Sequence, residues 1–421
     1  MAVDVARPGV LADRGVPDDG GVPDDLGVLG AGTMGAGIVQ VAAEAGVPVR
    51  VHDPVPGATD RARERISRFL ARKVEKGELS AQDREAAMGC IQPVGSIDEL
   101  GAAHVVVEAI PEELELKRDA FRLLDATAAD HTILATNTSS LSIARIAAAT
   151  RRPERVCGMH FFNPVPLMPL VEVVAGPMTD PVVADSIALF ARRLGKTPVV
   201  AADTPGFIVN RVARPFYLEA LRMLGEGAAG VAAIDAAMRG IGFRMGPFEL
   251  IDTIGLDVNF AVSQSVHEQF FFDPRYRPHP IQRSMVDAGR LGRKAGGGFY
   301  EYDADGARTG PWPGFDRRPA GPAVAALDEQ AIAARILATI VNEAASAVAD
   351  GVASPEAIDT AMRLGTGYPS GPLEWGERIG LSHVVHTLDA LHAAVPDGRY
   401  RVIPILRTLA DDGGSFFDTT A

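Results

Sequence analysis

The chain has 421 residues, 47% of them hydrophobic and 23% charged, which is long enough for two or three domains and excludes a disordered or fibrous protein. Its 54 acidic and 41 basic residues give a net charge of −13, which disfavours nucleic acid or an anionic membrane as a partner. Two cysteines exclude a disulfide framework and a cysteine metal cluster, and no charge-free apolar run is long enough for a membrane span. We therefore expect a cytoplasmic protein.

Residues 1–25 are rich in Asp, Gly and Pro, and the pentapeptide GVPDD occurs in them twice. No basic region precedes an apolar stretch, so the segment does not resemble a secretory signal. We predict that residues 1–25 form a disordered tail.

Short apolar runs alternate with amphipathic helical patterns from residue 26 to residue 203. The predicted strands are Leu26–Leu29, Val47–His52, His104–Val107, Thr132–Thr136, Arg155–Met159, Leu170–Val174 and Pro198–Ala201. The predicted helices between them are 38–45, 57–76, 113–129 and 181–194. This alternation predicts an α/β Rossmann-type domain with a mostly parallel sheet that is covered on both faces.

The strand signal stops after residue 203, and the rest of the chain is predicted to be helical. We expect a first helical domain at 204–302, a linker at 303–322 that is rich in Gly, Pro, Arg and Asp, and a second helical domain at 323–421. The two helical parts match each other at an offset of 124 to 125 residues, for example Arg211 with Arg335 and Glu219 with Glu343. The predicted architecture is thus a Rossmann-type domain followed by two tandem all-α domains, each burying its apolar face on the other.

A glycine-rich loop joins the first predicted strand to the helix that follows it. Gly30 permits a tight turn, Gly32 lets the backbone approach a pyrophosphate, and Gly35 lets the helix pack closely on the strand. Asp53 ends the next strand, where a carboxylate can accept hydrogen bonds from ribose hydroxyls and repels a 2′-phosphate. The loop predicts a dinucleotide site that prefers NAD to NADP. A glycine turn with no ligand is the alternative.

Polar residues follow two strands in the middle of the chain. Ser139 comes after the strand at 132–136, and His160 comes after the strand at 155–159. A histidine can accept a hydroxyl proton near neutral pH, and a carboxylate on its other ring nitrogen would stabilise the imidazolium. Glu172 lies 12 residues beyond His160 and could supply that carboxylate. Sequence spacing alone also allows a structural histidine and a carboxylate at the rim of the site.

The chain resembles the L-3-hydroxyacyl-CoA dehydrogenases of the 3-hydroxybutyryl-CoA dehydrogenase type, over about residues 26–410. The motifs that carry the resemblance occur in the family's order: GAGTMGAGIVQVAAEAG, VVVEAIPEELELK, TNTSSLSI, GMHFFNPVPLMPLVEVV, DTPGFIVNR and GRKAGGGFY. The resemblance implies an NAD-dependent oxidoreductase that converts L-3-hydroxyacyl-CoA to 3-oxoacyl-CoA reversibly.

The resemblance also implies roles for individual residues. His160 would be the base, Glu172 its partner, and Ser139 and Asn210 would hydrogen-bond the substrate. Asn163 would hold the nicotinamide side of the cofactor. Further cofactor contacts would come from Glu112, Lys117 and Lys294, and the CoA moiety would lie near Lys73 and Lys76. The expected partners are therefore NAD and an acyl-CoA. No metal, nucleic acid or membrane is expected, and a homodimer stays open.

The chain departs from short members of the family by its tail and its second helical copy. Ala334 stands where the first copy has Asn210, and the GRKAGGGFY motif is not expected to recur, so the second copy is predicted to be structural. We recognise no enoyl-CoA hydratase region in this sequence, so we expect the chain to catalyse dehydrogenation alone.

Three other functions stay open at this point. The same chemistry could act on an acyl-carrier-protein thioester or on a free hydroxy acid, although the sequence HFFNPVPLMPLVEVV favours a thioester. A non-catalytic NAD-binding structural or sensor protein is the alternative from another class.

Overall fold

The computed structural model describes residues 22–315 and 325–418. The chain divides into two compact units, residues 1–207 and 208–421, and each unit is described by itself. Most of the tail predicted at 1–25 lies outside the described residues, as does the second part of the linker predicted at 303–322.

The first unit is built on one eight-stranded sheet with the strand order β3-β2-β1-β4-β5-β6-β7-β8. Its strands are β1 (Leu26–Leu29), β2 (Val49–His52), β3 (Ile91–Pro93), β4 (Val105–Glu108), β5 (Ile133–Thr136), β6 (Val156–Phe161), β7 (Leu170–Ala175) and β8 (Thr197–Ala202). All neighbours are parallel except β6 and β7. The connection between those two strands has only eight residues, which is too short for a crossover to a parallel neighbour.

Six helices accompany this sheet: α1 (Thr33–Glu44), α2 (Ala58–Glu75), α3 (Ala81–Gly89), α4 (Leu114–Thr127), α5 (Ile143–Ala147) and α6 (Pro181–Arg193). They contribute to two separate hydrophobic clusters, one with α1, α2 and α6 and the other with α4 and α5. Every residue of β1, β4, β5 and β6 is buried, as expected for strands that are covered on both faces. The prediction of a Rossmann-type domain is confirmed, although β3, α3 and α5 were not predicted.

The second unit is mainly helical and contains both copies of the internal repeat. The first copy comprises α7 (Val209–Val212), α8 (Arg214–Glu226), α9 (Val231–Gly240), α10 (Pro247–Ile254), α11 (Leu256–Gln269), α12 (Pro280–Asp287) and the hairpin of β9 (Tyr300–Tyr302) and β10 (Arg308–Pro311). The second copy comprises α13 (Glu329–Ala349), α14 (Pro355–Thr366), α15 (Pro372–Ile379), α16 (Leu381–Ala394) and α17 (Pro404–Asp412). The linker prediction is wrong for its first part, because β10 pairs with β9 there.

The two copies pack on each other through reciprocal buried ion pairs. The Nε atom of Arg211 in the first copy lies 2.7 Å from Oε1 of Glu343 in the second, and Arg335 in the second copy binds Glu219 in the first. Tyr400 adds a 2.7 Å hydrogen bond to Glu219. Since Arg211 matches Arg335 and Glu219 matches Glu343, the same interaction occurs twice, once in each direction. The prediction that the copies bury their faces on each other is confirmed.

The GRKAGGGFY motif does not recur in the second copy, as predicted, but the segment GGSFF at 413–417 docks there in a similar way. In the first copy, Asp252 accepts hydrogen bonds from the backbone N–H groups of Phe299 and Tyr300. In the second copy, Glu377 accepts hydrogen bonds from the Ser415 hydroxyl and the Phe416 N–H. The docking of the segment is retained, while the loop that carries Lys294 has no counterpart there.

One described helix, α13, is long and apolar enough by length and composition to cross a membrane. However, 83% of its most apolar window is buried inside the protein, and the core helix of a globular protein passes the same test.

Candidate active site

The centre of the candidate site is a histidine–glutamate pair on two neighbouring strands. His160 on β6 and Glu172 on β7 are direct partners in the antiparallel register. The Nδ1 atom of His160 lies 2.7 Å from Oε2 of Glu172, and the Glu172 side chain is fully buried. Among the described residues, Glu172 is the only hydrogen-bond partner of the imidazole ring. The structure thus brings together the two residues that the sequence suggested as a pair.

The surroundings of His160 are apolar and tightly fixed. The ring of Phe162 lies 4.5 Å from the imidazole, centroid to centroid, and the ring of Phe207 lies 5.9 Å away, edge to face. Asn137, at the end of β5, accepts a 2.8 Å hydrogen bond from the Phe161 N–H. These contacts fix the end of β6 and hold the imidazole in one orientation.

The glycine loop has the shape that a phosphate site requires. Gly30 adopts a φ of +103°, and a Cβ there would lie 2.6 Å from the Ala109 carbonyl oxygen. A Cβ on Gly35 would lie 1.9 Å from the Gly30 carbonyl oxygen, whereas a Cβ on Gly32 would meet open space. Helix α1 begins directly after Gly32, with no side-chain cap and no acidic residue in its first turn. The loop therefore offers an accessible backbone and a positive helix end to an anion.

Asp53 holds the glycine loop from the end of β2. Its Oδ2 accepts a 2.7 Å hydrogen bond from the Ala31 N–H, and its Oδ1 accepts one from the Val55 N–H. Arg65 on α2, which the sequence analysis missed, donates a 2.8 Å hydrogen bond to the Gly32 carbonyl. The carboxylate of Asp53 and the guanidinium of Arg65 therefore both contact the glycine loop.

Glu112 organises the loop that contains Ser139. Its Oε1 accepts hydrogen bonds from the Thr138 hydroxyl at 2.6 Å and from the N–H groups of Ser139 and Ser140 at 2.9 and 3.2 Å. Burial opposes the ionised form, but Lys117 and these hydrogen bonds outweigh it and hold the pKa of Glu112 below its ordinary value. An ionised Glu112 thus fixes Ser139 in place.

Lys117 is buried and fully engaged with oxygen atoms. Its Nζ lies 2.6 Å from Oε1 of Glu108, 3.3 Å from the Ile110 carbonyl and 3.3 Å from Oε2 of Glu112. These three partners match the three N–H donors of an ammonium group. The structure shows Lys117 in a supporting position behind Glu112, and its contact with the cofactor stays a prediction.

The remaining predicted residues lie on α2, in the loop after β6 or in the second unit. Lys73 forms an ion pair with Glu44 on α1, and Lys76 is exposed at the end of α2. Asn163 is exposed in the loop between β6 and β7. Asn210 lies in α7 of the second unit, and Lys294 pairs there with Asp257 at 2.6 Å.

Lys196 is a residue of this region that the sequence analysis missed. It is buried, and its Nζ donates hydrogen bonds to the carbonyls of Val165 at 2.6 Å and Met168 at 2.9 Å. Both carbonyls belong to the loop between β6 and β7, which also carries Asn163. The chain has only five lysines among 41 basic residues, and this scarcity is the signal that could have identified Lys196. At such a position a compact ammonium cannot be replaced by a guanidinium.

Comparison with known proteins agrees with this geometry. The family model for "3-hydroxyacyl-CoA dehydrogenase, NAD binding domain" matches residues 25–204. The model for "3-hydroxyacyl-CoA dehydrogenase, C-terminal domain" matches residues 206–302 and again 332–415. The chain belongs to the 3-hydroxyacyl-CoA dehydrogenase family. The two C-terminal matches also confirm the internal repeat.

Several 3-hydroxyacyl-CoA dehydrogenases are similar to this chain over most of their length. The 3-hydroxyadipyl-CoA dehydrogenase of Escherichia coli is 38% identical over 91% of this chain and 96% of its own. A probable 3-hydroxybutyryl-CoA dehydrogenase of Bacillus subtilis is 44% identical over 66% of this chain and 96% of its own. The crystal structure of 3-hydroxybutyryl-CoA dehydrogenase from Escherichia coli K12 covers 92% of this chain with a TM-score of 0.85 and 37% identity, and 98% of that chain is matched.

These findings make the chain an NAD-dependent oxidoreductase of the 3-hydroxyacyl-CoA class. The residues present fit NAD, because Gly32 leaves open space, Gly35 allows the helix to approach, and Asp53 lies at the end of β2 beside the loop. The acyl-carrier-protein, free-acid and non-catalytic alternatives are not favoured by the family and the relatives named above.

Proposed function

We propose that this chain oxidises the hydroxyl group of an L-3-hydroxyacyl-CoA to the 3-oxoacyl-CoA, with His160 as the base and Glu172 as its partner. The observation that carries the assignment is the buried 2.7 Å contact between His160 Nδ1 and Glu172 Oε2. An ionised carboxylate only accepts hydrogen bonds, so Nδ1 carries the hydrogen and Nε2 holds the lone pair. Nε2 is therefore the atom that accepts the substrate proton.

The reaction separates a proton and a hydride from the same alcohol. NAD, when bound, supplies the acceptor for the hydride. The hydroxyl proton goes to His160 Nε2 as the C–O bond becomes a carbonyl, and Glu172 stabilises the imidazolium that forms. In the reverse direction the same imidazolium returns the proton, so one pair serves both directions.

The other predicted residues bind and orient in this proposal. Ser139, held by Glu112, and Asn210 hydrogen-bond the substrate hydroxyl and thioester region, and Asn163 holds the nicotinamide side. Lys117 supports Glu112 from behind, and Lys294 reaches the dinucleotide. Lys73 and Lys76 on α2 attract the anionic CoA.

The substrate partner in this proposal is a free acyl-CoA in the cytoplasm, with no nucleic acid, metal or membrane involved. The net charge of −13 supports the exclusion of polyanionic surfaces as partners. The reciprocal ion pairs between the two helical copies bury these faces within one chain, so a homodimer would need a different surface.

The test is a spectrophotometric assay of NADH formation by the full-length chain. It compares L- and D-3-hydroxybutyryl-CoA, the matching free acid and the matching carrier-protein thioester, each with NAD and with NADP. We expect turnover of the L-thioester of CoA with NAD. Turnover of the free acid alone, or of the D-thioester in preference to the L-thioester, would contradict the proposal.

A further inference from the structure

The first helical copy contains a buried polar cluster that the second copy lacks. Arg214 is 4% exposed, and its side chain donates hydrogen bonds to the Asn210 carbonyl at 2.8 Å and to the Ser263 hydroxyl at 3.3 Å. The side chain of Gln282 donates to Asn259 at 2.8 Å and to Ser263 at 3.4 Å. The positions that match Arg214, Ser263, Asn259 and Gln282 in the second copy are Ala338, Leu388, Val384 and Leu406.

The counterparts in the second copy show which of these polar residues the helical fold itself requires. All four counterparts in the second copy are apolar residues with 0–1% exposure. The same helical arrangement therefore forms with an apolar core at these positions. The fold does not require Arg214, and a buried guanidinium is costly to keep.

Arg214 also differs from the other buried arginines of this unit. Arg211 and Arg222 each bind a carboxylate. No carboxylate among the described residues lies within salt-bridge distance of Arg214, and burial lowers its pKa. A guanidinium has five N–H donors, of which two have acceptors here.

A buried hydroxyl donor packs against the same helix, α8. Tyr368 comes from the second copy, is 5% exposed, and its hydroxyl has no hydrogen-bond partner among the described residues. Burial raises the pKa of Tyr368, so its hydroxyl stays protonated. Its ring packs against Phe216, two residues beyond Arg214, with 5.8 Å between the ring centroids. Tyr217 completes the cluster, with its ring 4.9 Å from the Arg214 guanidinium carbon. A guanidinium and a protonated hydroxyl both donate hydrogen bonds, so this cluster suits an acceptor with negative charge.

We propose that Arg214 and Tyr368 bind the distal carboxylate of a 3-hydroxydicarboxylic acyl-CoA. The inference rests on the proposed function, which puts Asn210 at the substrate hydroxyl. Arg214 lies four residues beyond Asn210 on helical backbone, a rise of about 6 Å. The Arg214 Nε also lies 2.8 Å from the Asn210 carbonyl, so a chain with its carboxylate three C–C bonds beyond C3 is of suitable length to reach the guanidinium. The similarity to a relative named 3-hydroxyadipyl-CoA dehydrogenase supports this length.

The experiment measures kcat/KM for 3-hydroxyadipyl-CoA and 3-hydroxybutyryl-CoA in the full-length enzyme and its variants. We expect the wild type to prefer the adipyl substrate. Arg214→Leu should lower the ratio of the two kcat/KM values by about 100-fold, the effect of a lost charge-assisted hydrogen bond pair. Tyr368→Phe, which removes one oxygen atom, should lower it by about 5-fold. The control Arg283→Leu removes an exposed arginine of the same unit and should leave the ratio unchanged.

Each outcome separates the inference from the function on which it rests. If Arg214→Leu lowers both kcat/KM values equally, Arg214 only positions Asn210 and the carboxylate site is refuted. If Arg214→Leu does not fold, Tyr368→Phe decides, and an unchanged ratio in that variant refutes the site. A wild type that oxidises 3-hydroxybutyryl-CoA without preferring the adipyl substrate refutes this inference and leaves the proposed function standing. A wild type that oxidises no 3-hydroxyacyl-CoA refutes both.

Discussion

Replacing Glu172 by glutamine changes the charge of the catalytic pair while nearly preserving its shape. Glu172 is fully buried and lies 2.7 Å from His160, so water does not screen the pair. With charge centres about 4 Å apart and an effective dielectric constant of about 20, the carboxylate stabilises the imidazolium by roughly 4 kcal/mol. That loss corresponds to a decrease in kcat of about 10³-fold. Glutamine can also donate to Nδ1, which moves the hydrogen to Nε2 and leaves no lone pair for the substrate proton.

The assay is NADH formation from L-3-hydroxybutyryl-CoA at saturating NAD, followed by the reverse reaction with the 3-oxoacyl-CoA. Because one histidine serves both directions, Glu172→Gln should slow both by a similar factor. Glu154→Gln removes an exposed carboxylate of the same unit and should keep wild-type kcat. If Glu172→Gln retains kcat within threefold of the wild type in a folded protein, the electrostatic role of Glu172 is refuted.

Three further predictions concern stability and loop position. Lys196→Met leaves two buried carbonyls without their donor, so urea unfolding should show a loss of about 2 kcal/mol together with a lower kcat, and unchanged values would contradict the role of this lysine. Glu343→Gln leaves the buried Arg211 without its main carboxylate, and the free energy of unfolding should fall by about 3 kcal/mol, against no change in the exposed control Glu356→Gln. Burial raises the pKa of Asp235 from 3.8 to about 7. At pH values between these two numbers, the folded state therefore binds a proton that the unfolded state has released. The stability from this group is complete below pH 4 and is lost as the pH rises through 7, and Asp235→Asn should remove that part of the pH dependence measured by thermal unfolding.

The sequence was most informative where a residue pattern has one physical interpretation. Continuous apolar runs located the buried strands, and the alternation of strands with helices identified the Rossmann-type sheet. The spacing of His160 and Glu172 suggested a pair, because a short connection between two strands brings their residues opposite each other. The three-residue strand β3 was missed because it carries one buried apolar residue, Ile91, and no detectable periodicity.

Features that depend on contacts distant in the chain could not be predicted in this way. The partners of Lys196 and Lys117 are backbone carbonyls and carboxylates that the fold brings near, and no local pattern marks them. The docking of the terminal segment on Glu377 was missed because the deletion of one loop hides its similarity to the first copy. No local motif distinguishes Arg214. It differs from its neighbours by having no carboxylate partner among the described residues and by its apolar counterpart Ala338.

The central claim is that His160 accepts the substrate proton, and His160→Gln tests it most directly. The measurement is kcat at saturating NAD and L-3-hydroxybutyryl-CoA, in protein shown by NADH fluorescence to bind the cofactor with wild-type affinity. The account predicts a decrease in kcat of about 10²–10⁴-fold, the usual contribution of a general base. A variant that binds cofactor normally and turns over substrate at close to the wild-type rate would contradict it.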